Sequence, residues 1–231
     1  MGIINRYLSD FLTLFFPEIC YACGDSLVQS ESLICATCLH QLPFTNYHLE
    51  PDNKLAKQFW GRVNIKSATA FLYFNKGGKV QNLMHQLKYN NQPQIGILLG
   101  NLYAKHLIAS HKFENINAII PVPLHPKKQK KRGYNQSEKF GIGLSKSLGI
   151  KLENLLVREK FTDTQTKKSR LQRLDNVEEV FAIRKGEEIS GLRILLVDDV
   201  ITTGATLCAC SNVLLAYGAK TVDLATIAAG G

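Results

Sequence analysis

The chain has 231 residues, 45% apolar and 20% charged, with a formal net charge of +9. These proportions suit a globular protein that buries a core without staples, and the basic surplus suits a phosphorylated ligand, nucleic acid or an acidic surface. Residues 11–16 form an apolar run, but it is too short to span a bilayer and no small-residue cleavage site follows it, so neither a membrane span nor a secretory signal is expected.

Taken in chain order, residues 1 to 18 read as an amphipathic helix docked on the main domain. Tyr7, Leu8, Phe11, Leu12, Leu14 and Phe15 form its apolar side, and Pro17 ends it. Next come Cys20-x₂-Cys23 and Cys35-x₂-Cys38, separated by eleven residues. A cytoplasmic location with reduced thiols is expected, so these four cysteines favour tetrahedral zinc over disulfides or a redox pair. A site closed by four thiolates is structural, and zinc would stabilise a segment too small to fold by burial alone. On this pattern the chain divides into a helix and zinc ribbon over 1–45 and a larger domain over 46–231. The ribbon could bind nucleic acid, bind protein, or only brace the N-terminus.

Residues 44–66 carry the single tryptophan, Trp60, and read as a connection with little regular structure. A strand is expected over 67–74, ending at the turn signal Asn75-Lys76-Gly77-Gly78. The pattern then alternates. Helices are expected over 80–89, 95–110, 137–148 and 203–217, and short buried strands over 118–122, 193–197 and 221–228. Asn135 or Ser137 would cap the third helix and Gly149 would stop it. Cys208 and Cys210, in the last helix, read as core residues. Apolar strands alternating with helices indicate an α/β fold with a parallel sheet covered on both faces.

Two segments carry chemistry. In the first, the strand Ile194-Leu195-Leu196-Val197 runs into Asp198-Asp199, then Thr202-Thr203-Gly204-Ala205-Thr206 and a helix. Ligands of an open parallel sheet sit at the carboxyl ends of its strands. A helix N-terminus offers unpaired N–H groups and a positive dipole end, which suit a phosphate. Gly204 lets backbone and ligand approach closely. Adjacent carboxylates beside a phosphate make sense if they accept sugar hydroxyls or hold a hydrated Mg²⁺ that a diphosphate shares. In the second segment, Pro121-Val122-Pro123-Leu124-His125-Pro126 leaves a strand and leads into five cations between Lys127 and Arg132. Composition alone leaves this stretch open between a stiff basic turn that holds a diphosphate and a solvated charge run.

The first segment resembles the signature of type I phosphoribosyltransferases. That resemblance implies a parallel sheet flanked by helices and 5-phosphoribosyl-1-pyrophosphate as ligand. Asp198 and Asp199 would act as the catalytic carboxylates on the ribose hydroxyls, while Thr202, Thr203, Gly204, Ala205 and Thr206 would hold the 5-phosphate. The chain also resembles the ComF family along nearly its whole length, cysteines included. The resemblance rests on Pro121-Val122-Pro123-Leu124, Arg132-Gly133-Tyr134-Asn135-Gln136, Lys88-Tyr89, and the spaced set Arg158, Thr162, Gln165, Arg173, Asn176 and Phe181. Lys168 stands where an apolar residue is usual. By resemblance, Lys88, Pro123, Leu124, His125, Arg132 and Arg173 would meet pyrophosphate. Residues 159–175, with Lys160, Lys167, Lys168, Arg170 and Arg173, would form a flap that excludes water. The family is linked to natural transformation. Two functions are therefore carried: transfer of the phosphoribosyl group to a nitrogenous acceptor, or a ligand-sensing module that engages single-stranded DNA or a DNA-uptake partner.

Overall fold

The structure, a computed structural model, describes residues 17–159 and 180–230. Most of the expected N-terminal helix and nearly all of the expected flap, Arg173 included, lie outside these residues. Within them, five strands form one all-parallel sheet in the order β1-β7-β6-β2-β3. The strands are β1 (Ser67–Phe74), β2 (Ala118–Pro121), β3 (Lys151–Leu152), β6 (Arg193–Ile201) and β7 (Thr221–Gly230). A separate antiparallel pair, β4 (Leu156–Glu159) and β5 (Val180–Ile183), stands at the base of the expected flap.

Why the sheet forms is visible in β6. Its apolar run alternates between two cores: Leu195 and Val197 join one, Ile194 and Leu196 the other, and all four are fully buried. A strand covered on both faces needs such a continuous run. Helices α3 (Lys79–Tyr89), α4 (Pro93–Ser110) and α6 (Gln136–Leu148) cover the first face, and α7 (Ala205–Ala216) covers the second. Helices α4 and α6 cross closely at Gly100 and Gly143. A Cβ on Gly143 would stand 2.2 Å from the Ile97 carbonyl oxygen, so only glycine fits the crossing. That crossing fixes α6, whose first turn faces the site described below.

Three sequence expectations are corrected. First, the strand expected to stop at Val197 continues through both aspartates to Ile201, because β7 keeps pairing with it: Asp198 opposes Thr226, and Ile201 opposes Ala229. The last helix accordingly begins at Ala205 instead of Thr203, after Gly204 in a left-handed conformation (φ +71°). Second, the cationic stretch is a helix, α5 (Pro126–Arg132), and not a turn. Pro126 opens it, His125 Nδ1 accepts the Lys127 N–H at 3.1 Å, and left-handed Gly133 closes it. Third, the connection over 44–66 holds a 3₁₀ turn (Tyr47–Leu49) and a short helix α2 (Lys54–Lys57). Buried Asn53 organises it, donating to the carbonyls of Tyr47, Glu50 and Ala68 and accepting from the N–H groups of Leu55 and Ala56.

The cysteine segment, with its short helix α1 (Ala36–His40), continues into the first core. Cys20, Ala22, Ile34 and Cys38 are buried with Phe71, Leu83 and Met84. Asn82 of α3 donates to the Ala22 carbonyl at 2.9 Å. Cys208 and Cys210 are buried in the second core, as expected.

Candidate functional site

Strands β2 and β6 are neighbours, so the segments that follow them emerge side by side at one edge of the sheet. This brings the two chemistry-bearing segments together. Asp199 meets Lys88 of α3, with Nζ 3.0 Å from Oδ2 and both side chains mostly shielded from solvent. Asp198 Oδ1 accepts the Ser137 hydroxyl from the first turn of α6 at 2.7 Å and the Asp199 N–H at 2.8 Å. Asn135 caps α6, accepting the Ser137 N–H and donating to the Val122 carbonyl at 2.9 Å. One short polar chain thus links the Pro121-Val122-Pro123 segment, the start of α6 and the carboxylate pair.

The electrostatics follow from this packing. Burial, then the neighbouring Asp199 charge, pushes the Asp198 carboxyl up to about 7, against the pull of the Ser137 hydroxyl, the Asp199 amide and Lys88. Asp198 is therefore set to change protonation near neutrality.

Beyond the carboxylates, Thr202 and Thr203 are exposed and Gly204 is buried under the ring of Phe59. A Cβ on Gly204 would stand 3.0 Å from that ring, so close packing as well as the positive φ calls for glycine here. Among the described residues, the side chain that hydrogen-bonds this loop from outside is Arg62. It donates to the Thr203 carbonyl at 2.8 Å and the Gln58 carbonyl at 3.1 Å. Nothing in the local sequence pattern marks Arg62, since the contact joins positions 141 apart in the chain.

The expected pyrophosphate residues distribute over two cavities. Pro123 and Leu124, with Pro121, Asn135, Arg158 and Arg184, line one of about 310 Å³ between the β2 turn and the β4–β5 pair. Lys88 and Arg132, with Tyr89, Lys128, Lys130 and Lys131, line another of about 510 Å³ on the far side of α5. Arg132 donates to Gln136 Oε1 at 2.9 Å and lies over the Tyr89 ring at 5.4 Å. His125 caps α5.

The four cysteine sulfurs at the N-terminus lie within 4.8 Å of one another, with Cys23 and Cys35 at 3.9 Å. Sulfurs bonded to one tetrahedral ion at about 2.3 Å stand roughly 4 Å apart, so the four could hold a metal such as zinc. Backbone N–H groups of Cys35 and Cys38 point to the sulfurs of Cys20 and Cys35. Burial opposes ionisation of Cys20, yet the amides of Cys35, Cys23 and Ala22 outweigh it and hold the thiol below its ordinary value. Burial, the largest cause at Cys38, and hydrogen bonds to neighbouring side chains at Cys23 push those two thiols the other way, above their ordinary value.

Residues 135–231 match the phosphoribosyl transferase domain. Over 220 residues, covering 91% of this chain and 96% of the relative, the chain is 30% identical to competence protein F of Haemophilus influenzae. The chain belongs to the competence protein F family. Two further relatives agree with this ComF assignment. DNA utilization protein YhgH of Salmonella typhi is 30% identical over 229 residues, 91% of this chain and 96% of that protein. Competence protein ComFC of Streptococcus pneumoniae is 34% identical over 125 residues, 54% of each chain. The phosphoribosyl transferase domain match and the parallel sheet flanked by helices together give this chain the type I phosphoribosyltransferase fold. Among its described residues, no helix is long and apolar enough to cross a membrane.

Proposed function

We propose that this protein binds 5-phosphoribosyl-1-pyrophosphate with Mg²⁺ at the carboxyl ends of β2 and β6, in the cytoplasm. The supporting observation is the meeting, at one sheet edge, of the Asp198–Asp199 pair, the Thr202–Thr206 loop at the start of α7, and Lys88. Asp198 and Asp199 accept the ribose hydroxyls, and the loop amides with the threonine hydroxyls hold the 5-phosphate. Pro123, Leu124 and His125 face the pyrophosphate, and Lys88, held beside Asp199, supplies a cation at the carboxylate end of the site. Mg²⁺ would neutralise part of the diphosphate charge when bound. Zinc on Cys20, Cys23, Cys35 and Cys38 is structural in this reading.

If transfer occurs, an acceptor nitrogen attacks C1 of the ribose, and the C1–O bond breaks with its electron pair leaving on pyrophosphate. The chain's residues then position the sugar and stabilise the leaving charge. Asp198→Asn combined with Asp199→Asn is expected to abolish binding in calorimetry without unfolding the chain. Retained affinity would remove the carboxylate assignment. Pyrophosphate release that depends on an added base or ammonia distinguishes a transferase from a sensing module.

One observation favours the second reading, engagement of single-stranded DNA. The cavity on the far side of α5 joins five cations to Tyr89, which is 61% exposed, with the His85 ring tilted against it at 5.0 Å and Arg132 over its ring at 5.4 Å. Cations tracking a backbone beside an exposed aromatic ring are what a single strand needs. The relatives' names, competence and DNA utilization, point the same way.

A further inference from the structure

We infer that Arg62 is a positioning residue for the phosphate loop, setting the direction of the amide that faces the ligand's 5-phosphate. This rests on the loop being a phosphate site, as proposed above. The peptide between Thr203 and Gly204 is trans, so its C=O and N–H point in opposite directions. Arg62 Nη1 holds the Thr203 carbonyl from the exposed side at 2.8 Å. The Gly204 N–H therefore points away from the guanidinium. Among the described residues that N–H donates to no acceptor, and neither do those of Thr203 and Thr206.

The anchor itself is built to hold. Arg62 also bonds the Gln58 carbonyl, and the Arg62 and Val63 N–H groups both close on the Phe59 carbonyl. Phe59 is fully buried and presses on Gly204, and Asn53 fastens the start of this segment to β1 through the Ala68 carbonyl. The carbonyl is thus held by an element rooted in the core.

The placement of the charge is a second, separate observation. A cation at a helix N-terminus opposes the helix dipole and destabilises an empty fold. Arg62 stands there nonetheless, close enough to the first turn of α7 to pull on the Cys208 thiol. A phosphate at the loop adds a cation–anion attraction that opposes this repulsion.

The test uses the full chain and two probes in calorimetry at fixed salt: ribose 5-phosphate, which reports on the loop, and inorganic pyrophosphate with Mg²⁺, which reports on the β2 side. Arg62→Ala is expected to weaken ribose 5-phosphate by about threefold to fivefold, the scale of one solvent-exposed contact of a charged group, and to leave pyrophosphate unchanged. Arg62→Gln keeps a donor for the Thr203 carbonyl without the charge and is expected to recover part of the loss. Arg62→Ala with wild-type affinity for ribose 5-phosphate would overturn the inference and leave the proposed function standing. So would an equal loss for both probes, since that reports a general loosening. A wild-type chain that takes up neither probe would overturn both readings together.

Discussion

Asp198 gathers several opposing forces on one carboxyl: an enclosed position, a carboxylate neighbour, and hydrogen bonds from Ser137 and the Asp199 amide. In the folded chain the group titrates at about 7, against an ordinary value of 3.8 once the chain unfolds. Between those values the folded chain keeps a proton that the unfolded chain has released. Stability therefore falls as pH rises through this window and levels off above it. Asp198→Asn is expected to flatten that fall. It is also expected to stabilise the chain at pH 8 by on the order of 1 to 3 kcal/mol, since each pH unit between the two titrations is worth about 1.4 kcal/mol and solvent still reaches part of the residue. Urea titrations at pH 5 and pH 8 check this; parallel pH dependence in variant and wild type would show that Asp198 is not the group responsible. The aspartate pair is legible in the sequence because it directly follows an apolar strand. Its partners, Ser137 and Lys88, are not legible as partners, since the hydrogen bond and the ion pair join residues far apart in the chain.

Elements are most legible where local chemistry punctuates them. The α6 cap at Asn135 and stop at Gly149 are as expected because a short side chain and a left-handed glycine suffice to define them. The extent of β6 escapes a local reading because what prolongs it is β7, a partner no local pattern names. The basic helix α5 escapes it too, because a run of lysines carries no apolar periodicity and its ends are set by His125, Pro126 and Gly133 alone. The cysteine knuckles are legible from spacing, and the sulfurs do converge. Cys20→Ser is expected to lose bound metal and, because Cys20 and Ala22 lie in the same core as Leu83 and Met84, to lower the stability of the main sheet as well. Elemental analysis together with thermal unfolding checks both halves. Unchanged zinc content would refute the metal assignment, and lost metal with unchanged unfolding would show that the segment is energetically separate.

Across the whole molecule the net charge of +9 is unevenly used. Much of the surplus collects on α5, whose Lys128, Lys130, Lys131 and Arg132 border a cavity next to the carboxylate pair's own Lys88. If this face tracks a single strand, affinity falls linearly in log–log plots against salt, with a slope of about −0.7 per phosphate neutralised. Lys130→Glu with Lys131→Glu is expected to reduce the magnitude of that slope by roughly one to two and to leave 5-phosphoribosyl-1-pyrophosphate binding intact. Oligonucleotide titrations between low and moderate salt measure it; a flat salt response in the wild type would remove the DNA reading.

The sequence by itself determined the fold class, the threonine- and glycine-rich turn before α7, the carboxylate pair and the paired cysteine knuckles, because each depends on residues within one turn, one strand or one knuckle. The tertiary structure alone decided which side chains restrain those groups. Ser137 holds Asp198, Lys88 holds Asp199, and Arg62 with Phe59 braces the loop, because only folding brings α6, α3 and the 53–63 segment against one edge of the sheet.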